Sequence, residues 1–401
     1  MRFVPSKGGA MRTIVIGAGM VGLTCAWTLH RDGHDVTLVD PAPASGATHA
    51  AGGMLTPVGE AYHGEDELTA FLLASSRRYP EFVEDLAAHL SPGTPTGYVR
   101  SGTLICGVDA ADRGHLADLH ALDLRLGLHS EQLTTREARR LEPLLGPRLT
   151  CAYLAPDDHQ VDPRVLAAAL LAALRGRVEI VEDAARAVHP GGSPRVDLAS
   201  GAALDADVVV VANGLGAATL DGDLGIDLAG VLRPVHGEVV RMLAPPSLAP
   251  LLTRTIRGLV EGRPVYLIPR GDGRVLLGAT SREDQVAAVN TGGLHDLLVD
   301  AVRLMPAIRE FSVEEVLARA RPGTPDNAPI LGATAPGVIL ATGLFRHGIL
   351  ASPLVAAVVA ALVRQQGDPA GAPSEADSEL LDLARCADPR RFASTPGKDT
   401  P

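Results

Sequence analysis

Glycines at positions 17, 19 and 22, followed by an aspartate at 40, are the residues of this chain whose types and spacing point first to chemistry. A G-x-G-x-x-G run suits a diphosphate. Gly17 allows the tight turn, Gly19 lets a pyrophosphate approach the backbone, and Gly22 lets helix and strand pack closely. Asp40, about 20 residues further on, can accept hydrogen bonds from an adenosine ribose, and helix N-terminal amides favour the diphosphate. This spacing does not separate NAD from FAD. A second stretch, PAPASGATHAAGGMLTP at 41–57, is too apolar for a solvated loop, and its small residues let backbone lie flush against a flat ligand. A third joins Arg321-Pro322-Gly323-Thr324-Pro325-Asp326 to ATGLFRHGILASP at 341–353. There Gly343 and Gly348 bracket a turn, and Pro353 opens an apolar helix whose first amides would face a ring in front of them. A flavin gains negative charge at that place when reduced, whereas a nicotinamide enzyme has no need of such an element.

Positioning these residues requires an α/β frame. Thr13 to Ile16 reads as a buried strand, Met20 to Arg31 as a helix ended by Gly33, and Asp35 to Val39 as the next strand. Residues 66–90 and 110–145 show helical spacing with charged faces. Asp162 and Pro163 supply an N-cap and an N1 proline for a helix reaching Gly176. Strands follow at Val178 to Val181 and Ala206 to Ala212, the second a valine run buried on both faces, as in a parallel sheet. From Val231 to Thr280 the pattern turns antiparallel, with a hairpin of Val265 to Arg270 and Arg274 to Gly278 around Gly271-Asp272-Gly273. Turn chemistry explains the Arg270-Gly271-Asp272 tripeptide. Asp296 to Met305 and Val313 to Ala320 complete that region.

A two-domain flavoprotein is expected. Its Rossmann-like FAD-binding domain is built from discontinuous segments, 12–60, 151–230 and 321–366. An α+β substrate domain with an antiparallel sheet takes 61–150 and 231–320. Residues 1–11 and 367–401 are expected to be mobile termini, with Leu380 to Leu383 able to dock, and Met11 is as good a natural start as Met1.

Composition limits the function classes. A net charge of −11 disfavours a nucleic-acid surface or an anionic-membrane patch. Cys25, Cys106, Cys151 and Cys386 have no ligand spacing and read as reduced thiols of a cytoplasmic protein. The first ten residues lack an apolar signal core, and no run is long enough to span a membrane. His115, His120 and His129 have no acid or cysteine spaced to complete a metal shell, so no metal is expected.

The motifs together resemble the D-amino-acid-oxidase-like flavoproteins, in particular their glycine oxidase branch in thiamine biosynthesis. The resemblance runs from Thr13 to about Val363. It rests on G-A-G-M-V-G-L at 17–23, A-A-G-G-M-L-T-P at 50–57, Y-L-I-P-R-G-D-G-R at 266–274, G-A-T-S at 278–281, R-P-G-T-P-D at 321–326 and F-R-H-G-I-L at 345–350. It implies that Met20 and Val21 meet the diphosphate and that Asp40 and Pro41 meet the ribose side. Ala47, Thr48, Gly52, Gly53 and Met54 would lie along the flavin, and Ala185 would touch the adenine. Leu344, Phe345, Arg346, His347, Gly348, Ile349 and Leu350 would wrap the ring. Arg321 would anchor the substrate carboxylate through its guanidinium fork, with Tyr266 adding a hydroxyl and Arg346 near both substrate and flavin. Without the motif, Arg321 would read as a domain-bridging ion pair and Tyr266 as an ordinary strand aromatic.

Two departures stand at the flavin edge. Leu344 and His347 occupy positions where the family has His and Asn, and Gly52-Gly53 stands where Ala-Gly is commoner. With no cysteine near the late loop, FAD is expected to be noncovalent. The expected activity is oxidation of glycine or a similarly small amine, by hydride transfer from a neutral amine to the flavin. It yields an imine, then a keto acid and ammonia, with O2 reduced to H2O2. Two other readings are a D-amino-acid dehydrogenase passing electrons to a quinone or carrier and a non-catalytic flavoprotein subunit. The resemblance also suggests a homotetramer.

Overall fold

The valine run at 208–211 lies within a six-stranded sheet. The order is Ile330–Ala335, Val338–Thr342, Val208–Val211, Arg12–Ile16, Asp35–Val39, Glu179–Val181. Every neighbouring pair is parallel except the first, a hairpin. The computed structural model describes residues 9–248, 251–284 and 286–392. Successive valines face opposite sides. Val208 and Val210 join the core formed by the helices Met20–Arg31, Asp66–Ala87, Pro163–Leu174 and Ser352–Gly367. Val209 and Val211 pack with Val188 and Val196 of a three-stranded sheet on the other side. A strand covered on both faces has no polar side to alternate with, which is why the run is continuous.

The second layer is an eight-stranded sheet. It runs Ser312–Gly323, Arg233–Leu243, Arg274–Gly278, Arg263–Pro269, Thr255–Val260, Thr103–Gly107, Cys151–Ala155, Glu131–Leu133. The expected hairpin is there, with Leu267 opposite Leu277 across the glycine-rich turn. Arg270, first of the tripeptide in that turn, points inward. Its guanidinium donates to the Gly52 carbonyl at 2.7 Å and to Gln160 at 3.0 Å, fastening the small-residue loop to the hairpin.

Several expected boundaries move. Cys151–Ala155 pairs with Thr103–Gly107 in the eight-stranded sheet, so the segment assigned to the nucleotide side from 151 joins it only after Val161. The Asp66–Ala87 helix, assigned to the substrate side, packs Phe71, Tyr79 and Leu86 into the nucleotide-side core. Arg321 closes a continuous strand instead of opening a new segment. The stretch 110–145 is two helices, Ala110–Arg125 and Thr135–Leu141, with the strand Glu131–Leu133 between them. The short strands Tyr98–Val99 and Thr103–Gly107 lie in a stretch for which no strand is expected.

The ends also differ from expectation. Met11 packs on the core, and its carbonyl accepts from Asp35 at 3.0 Å. Past Gly367 the chain forms the helix Glu375–Leu383, capped by Ser374, with Leu380 buried against the Ser352–Gly367 helix. Residues 1–8 and 393–401, expected to be mobile, lie outside the described residues. Among the described residues no helix is long and apolar enough to cross a membrane.

Candidate active site

The carboxyl ends of the parallel strands and the inner side of the eight-stranded sheet together line a cavity of about 530 Å³, ample for a cofactor-sized ligand. Its first wall is the glycine turn. Gly17 has φ +99°, and a Cβ there would lie 2.5 Å from the Asn213 backbone. A Cβ at 22 would collide with the Gly17 carbonyl. Both positions require glycine for the turn to close, and neither lines the cavity. Gly19, Met20 and Val21 do line it. The Met20 amide donates to Thr48 Oγ1 at 2.9 Å, while the amides of Gly19 and Val21 have no partner among the described residues. Open amides at the start of a 12-residue helix form an anion site. The Asp40 carboxylate borders the cavity and accepts from the amides of Ala18 at 2.6 Å and Ala42 at 2.7 Å, so it also ties the turn to the strand end.

The second wall combines the small-residue loop and the late wrap. Ala47, Thr48, Gly52, Gly53 and Met54 line it from one side, and Leu344 to Leu350 from the other. Phe345 has φ +47° and its amide donates to the Pro322 carbonyl at 2.8 Å, which locks the wrap against the Arg321 strand. Ser75 and Tyr79 hold the carbonyls of Leu350 and Ile349 from behind. The amides of Gly348, Ile349 and Leu350 have no partner among the described residues and border the cavity just ahead of the Ser352–Gly367 helix. Three unpaired amides at a helix start match a ligand with carbonyl oxygens or developing negative charge. Asn213 adds a buried side-chain oxygen without a partner. Open amides at the glycine turn and again at the wrap fit FAD, whose diphosphate the first set would hold and whose ring the second would border.

The third wall belongs to the eight-stranded sheet. Arg321 stands opposite Val235, and among the described residues its Nη1 and Nη2 reach only the Thr280 carbonyl, at 3.3 and 3.4 Å. The guanidinium lies over Gly237, where a Cβ would be 2.5 Å from Nη2. Tyr266 packs on Gly278, and burial, partly offset by the field of Arg321, raises its hydroxyl pKa.

Glu60, which sequence reasoning missed, lies between Arg257 and Arg346. Its Oε1 takes Arg257 Nη1, and its Oε2 lies 2.6 Å from Arg346 Nε. Burial pushes the Glu60 carboxyl up, but the two guanidiniums overcome it and hold the pKa at about 2. Arg346 also stacks on Tyr62 at 4.8 Å. Burial, aided by Arg346 and Arg257, pulls the His347 imidazole down to about 4, so it is neutral at pH 7.

Arg321, Tyr266 and Arg346 therefore meet at one cavity with most of the expected cofactor positions. Besides Gly17 and Gly22, which shape the turn, three residues expected at the cofactor lie outside the cavity lining. Pro41 is exposed beyond Asp40. Ala185 belongs to the separate three-stranded sheet. Gly343 turns behind the wall with φ +68°, against Thr324 and Ile330. Besides Glu60, the cavity gains Arg257, Asn213, Thr280 and Ser281. Arg257 carried a signal that went unused, a charge inside the otherwise apolar strand Thr255–Val260.

Comparison with known proteins agrees with this geometry. The chain is 31% identical over 389 residues to the bifunctional protein ThiO/ThiG of Synechocystis, covering 95% of this chain and 54% of that protein. It thus spans about half the length of that relative. It is 34% identical over 373 residues to a Rhizobium etli protein provisionally named a thiamine biosynthesis oxidoreductase, ThiO, covering 90% of this chain and 98% of that one. The crystal structure of glycine oxidase from Geobacillus kaustophilus superposes with a TM-score of 0.79 at 29% identity, covering 89% of this chain and 95% of that one. The model of the FAD dependent oxidoreductase family matches residues 12–362, from the strand before the glycine turn to the helix after the wrap. With the dinucleotide turn, the open amides of the wrap and the cationic wall all inside that match, this chain belongs to the FAD dependent oxidoreductase family.

Proposed function

We propose that this protein is an oxidase of glycine or a similarly small amine, producing the imine that water hydrolyses to a keto acid, glyoxylate in the case of glycine, and ammonia. The observation that carries the reading is Arg321. It is a guanidinium bordering the cavity whose polar partner among the described residues is one neutral carbonyl, so its fork remains open for a carboxylate. Bound noncovalently, FAD supplies the two-electron acceptor and the route to O2, which leaves as H2O2; no cysteine is among the cavity-lining residues. Arg321 orients the substrate by its carboxylate, and Tyr266, kept protonated by burial, donates its hydroxyl to the same group. His347 stays neutral and Glu60 stays ionised between two guanidiniums, so neither changes charge as substrate binds at neutral pH. The amides of Gly348 to Leu350 stabilise the negative charge that builds during reaction. No side chain need take the amine proton, because the amine enters neutral and the site works by orientation. The likeness to the Rhizobium protein supports a place in thiamine biosynthesis.

The test is a peroxide-release screen of the FAD-loaded protein with glycine, sarcosine and D-alanine. At least one should release H2O2 in step with oxygen uptake. Turnover seen only with a quinone-like artificial acceptor would make the protein a dehydrogenase, and an FAD-loaded protein unreduced by every amine under anaerobic conditions would refute the reading.

A further inference from the structure

Behind the wall that carries Arg321, a buried carboxylate holds the segment on which that arginine leans. Alternation along the strand Arg233–Leu243 puts Gly237 and Val239 in the cavity lining and turns His236 and Glu238 to the opposite face. The Glu238 side chain is fully buried. A carboxylate so placed is costly unless donors converge on it, and three do. Its Oε1 accepts from Arg282 Nε at 2.9 Å, from Arg282 Nη2 at 2.7 Å and from the Asn290 amide at 3.2 Å. Arg282 also gathers the loop beyond it, donating through Nη2 to the Ala288 carbonyl at 2.9 Å and through Nη1 to Asp284. Both ends of that loop, Arg282 and Asn290, are thus fastened to one oxygen.

The fastened segment extends the sheet. Past Gly278 the chain stays beside the strand Arg233–Leu243. The Thr280 amide donates to the Glu238 carbonyl at 3.4 Å, and the Glu238 amide donates to Thr280 Oγ1 at 2.8 Å. His236 and Arg282 exchange amide-to-carbonyl bonds at 2.7 and 2.8 Å. A Cβ at Gly293 would lie 3.2 Å from the Thr280 methyl and 3.4 Å from Glu238 Oε2, so both side chains face the helix Thr291–Leu304. The Thr280 carbonyl is the one that Arg321 Nη1 and Nη2 hold, at 3.3 and 3.4 Å. To reach it from the neighbouring strand the guanidinium crosses over Gly237, where a side chain would block the way.

Building on the reading of Arg321 as the carboxylate anchor, we propose that Glu238 is a positioning residue for the substrate: through Arg282 it fixes the Thr280 carbonyl, and that carbonyl aims the Arg321 fork. Glu238 itself lies outside the cavity lining. The carbonyl is the fork's polar partner among the described residues, so a shift of residues 280–282 moves the fork with it. A fork held in advance meets the incoming carboxylate already oriented.

Steady-state peroxide release by the FAD-loaded protein, with the fastest of glycine, sarcosine and D-alanine, tests this. Glu238→Ala should raise KM about tenfold while kcat stays within about threefold and flavin is retained. The inhibition constant of methoxyacetate, a sarcosine isostere with no amine to oxidise, should rise by the same factor. Glu238→Gln, which keeps an acceptor where Oε1 stands, should fall between wild type and the alanine variant. In an Arg321→Ala background, Glu238→Ala should change kcat/KM by less than about twofold, because the group it positions is gone. Equal losses in the two backgrounds, or an unchanged KM with flavin bound, overturn the proposal. Where Glu238→Ala fails to fold, Arg282→Gln, at a side chain that reaches solvent, should give the same rise in KM, and an unchanged KM there overturns the proposal as well. Sensitivity to Arg321 without sensitivity to Glu238 removes this inference alone, whereas an Arg321→Ala variant with unchanged KM and methoxyacetate inhibition removes the anchor beneath it.

Discussion

Replacing Arg321 with alanine separates a carboxylate anchor from a structural arginine. The fold loses little, because the side chain makes only two long bonds to one carbonyl, worth about 1 kcal/mol together. That corresponds to a melting shift of about 2–4 °C. The substrate loses a charge-assisted fork, and truncating one partner of such a pair costs about 2–5 kcal/mol, or about 30- to 5,000-fold in kcat/KM. Arg321→Lys keeps the charge without the fork and should retain more activity than alanine. The assay is peroxide release under steady state, with flavin content read from the visible spectrum. FAD should be retained, since the open amides are on the glycine turn and the wrap while Arg321 is on the eight-stranded sheet. Activity within threefold of wild type in Arg321→Ala would refute the anchor. Loss of flavin together with activity would reassign the residue to holding the fold.

Gly237→Ala tests the same residue without touching it. The new methyl would stand 2.5 to 2.7 Å from three guanidinium atoms of Arg321, so the fork must move. KM should rise about tenfold with flavin retained, and an unchanged KM would show that the fork does not set affinity. His347→Asn tests the buried imidazole. Its folded pKa of about 4 lies below the unfolded value of 6.5. Its contribution is therefore complete above pH 6.5 and is lost as pH falls toward 4, amounting to about 3 kcal/mol at most. Melting temperatures between pH 7 and 4.5 should fall less steeply in the variant, and parallel curves would contradict the assignment. Glu60, depressed to about 2 from 4.5, acts in a lower window and does not confuse the comparison.

What the sequence alone determined is what local physics encodes. The strand, turn, helix and strand from Arg12 to Val39 were legible because a β-branched run, a glycine turn and helical spacing follow in order. The valine strand and the Ser352–Gly367 helix were legible from their continuous apolar character. Motif resemblance brought Arg321, Tyr266 and Arg346 into view, and the fold brings them to one cavity. Domain boundaries were less legible, since a strand such as Cys151–Ala155 carries no local mark of the sheet it joins. Pro41, Ala185 and Gly343 lie outside the cavity lining for a similar reason, because nearness in sequence to a binding strand does not set which wall a residue faces. Only the tertiary structure decided that Glu60 sits between Arg346 and an arginine 197 positions away. Such a pairing follows from the meeting of two sheets, and neither periodicity nor spacing records which charges that meeting buries together.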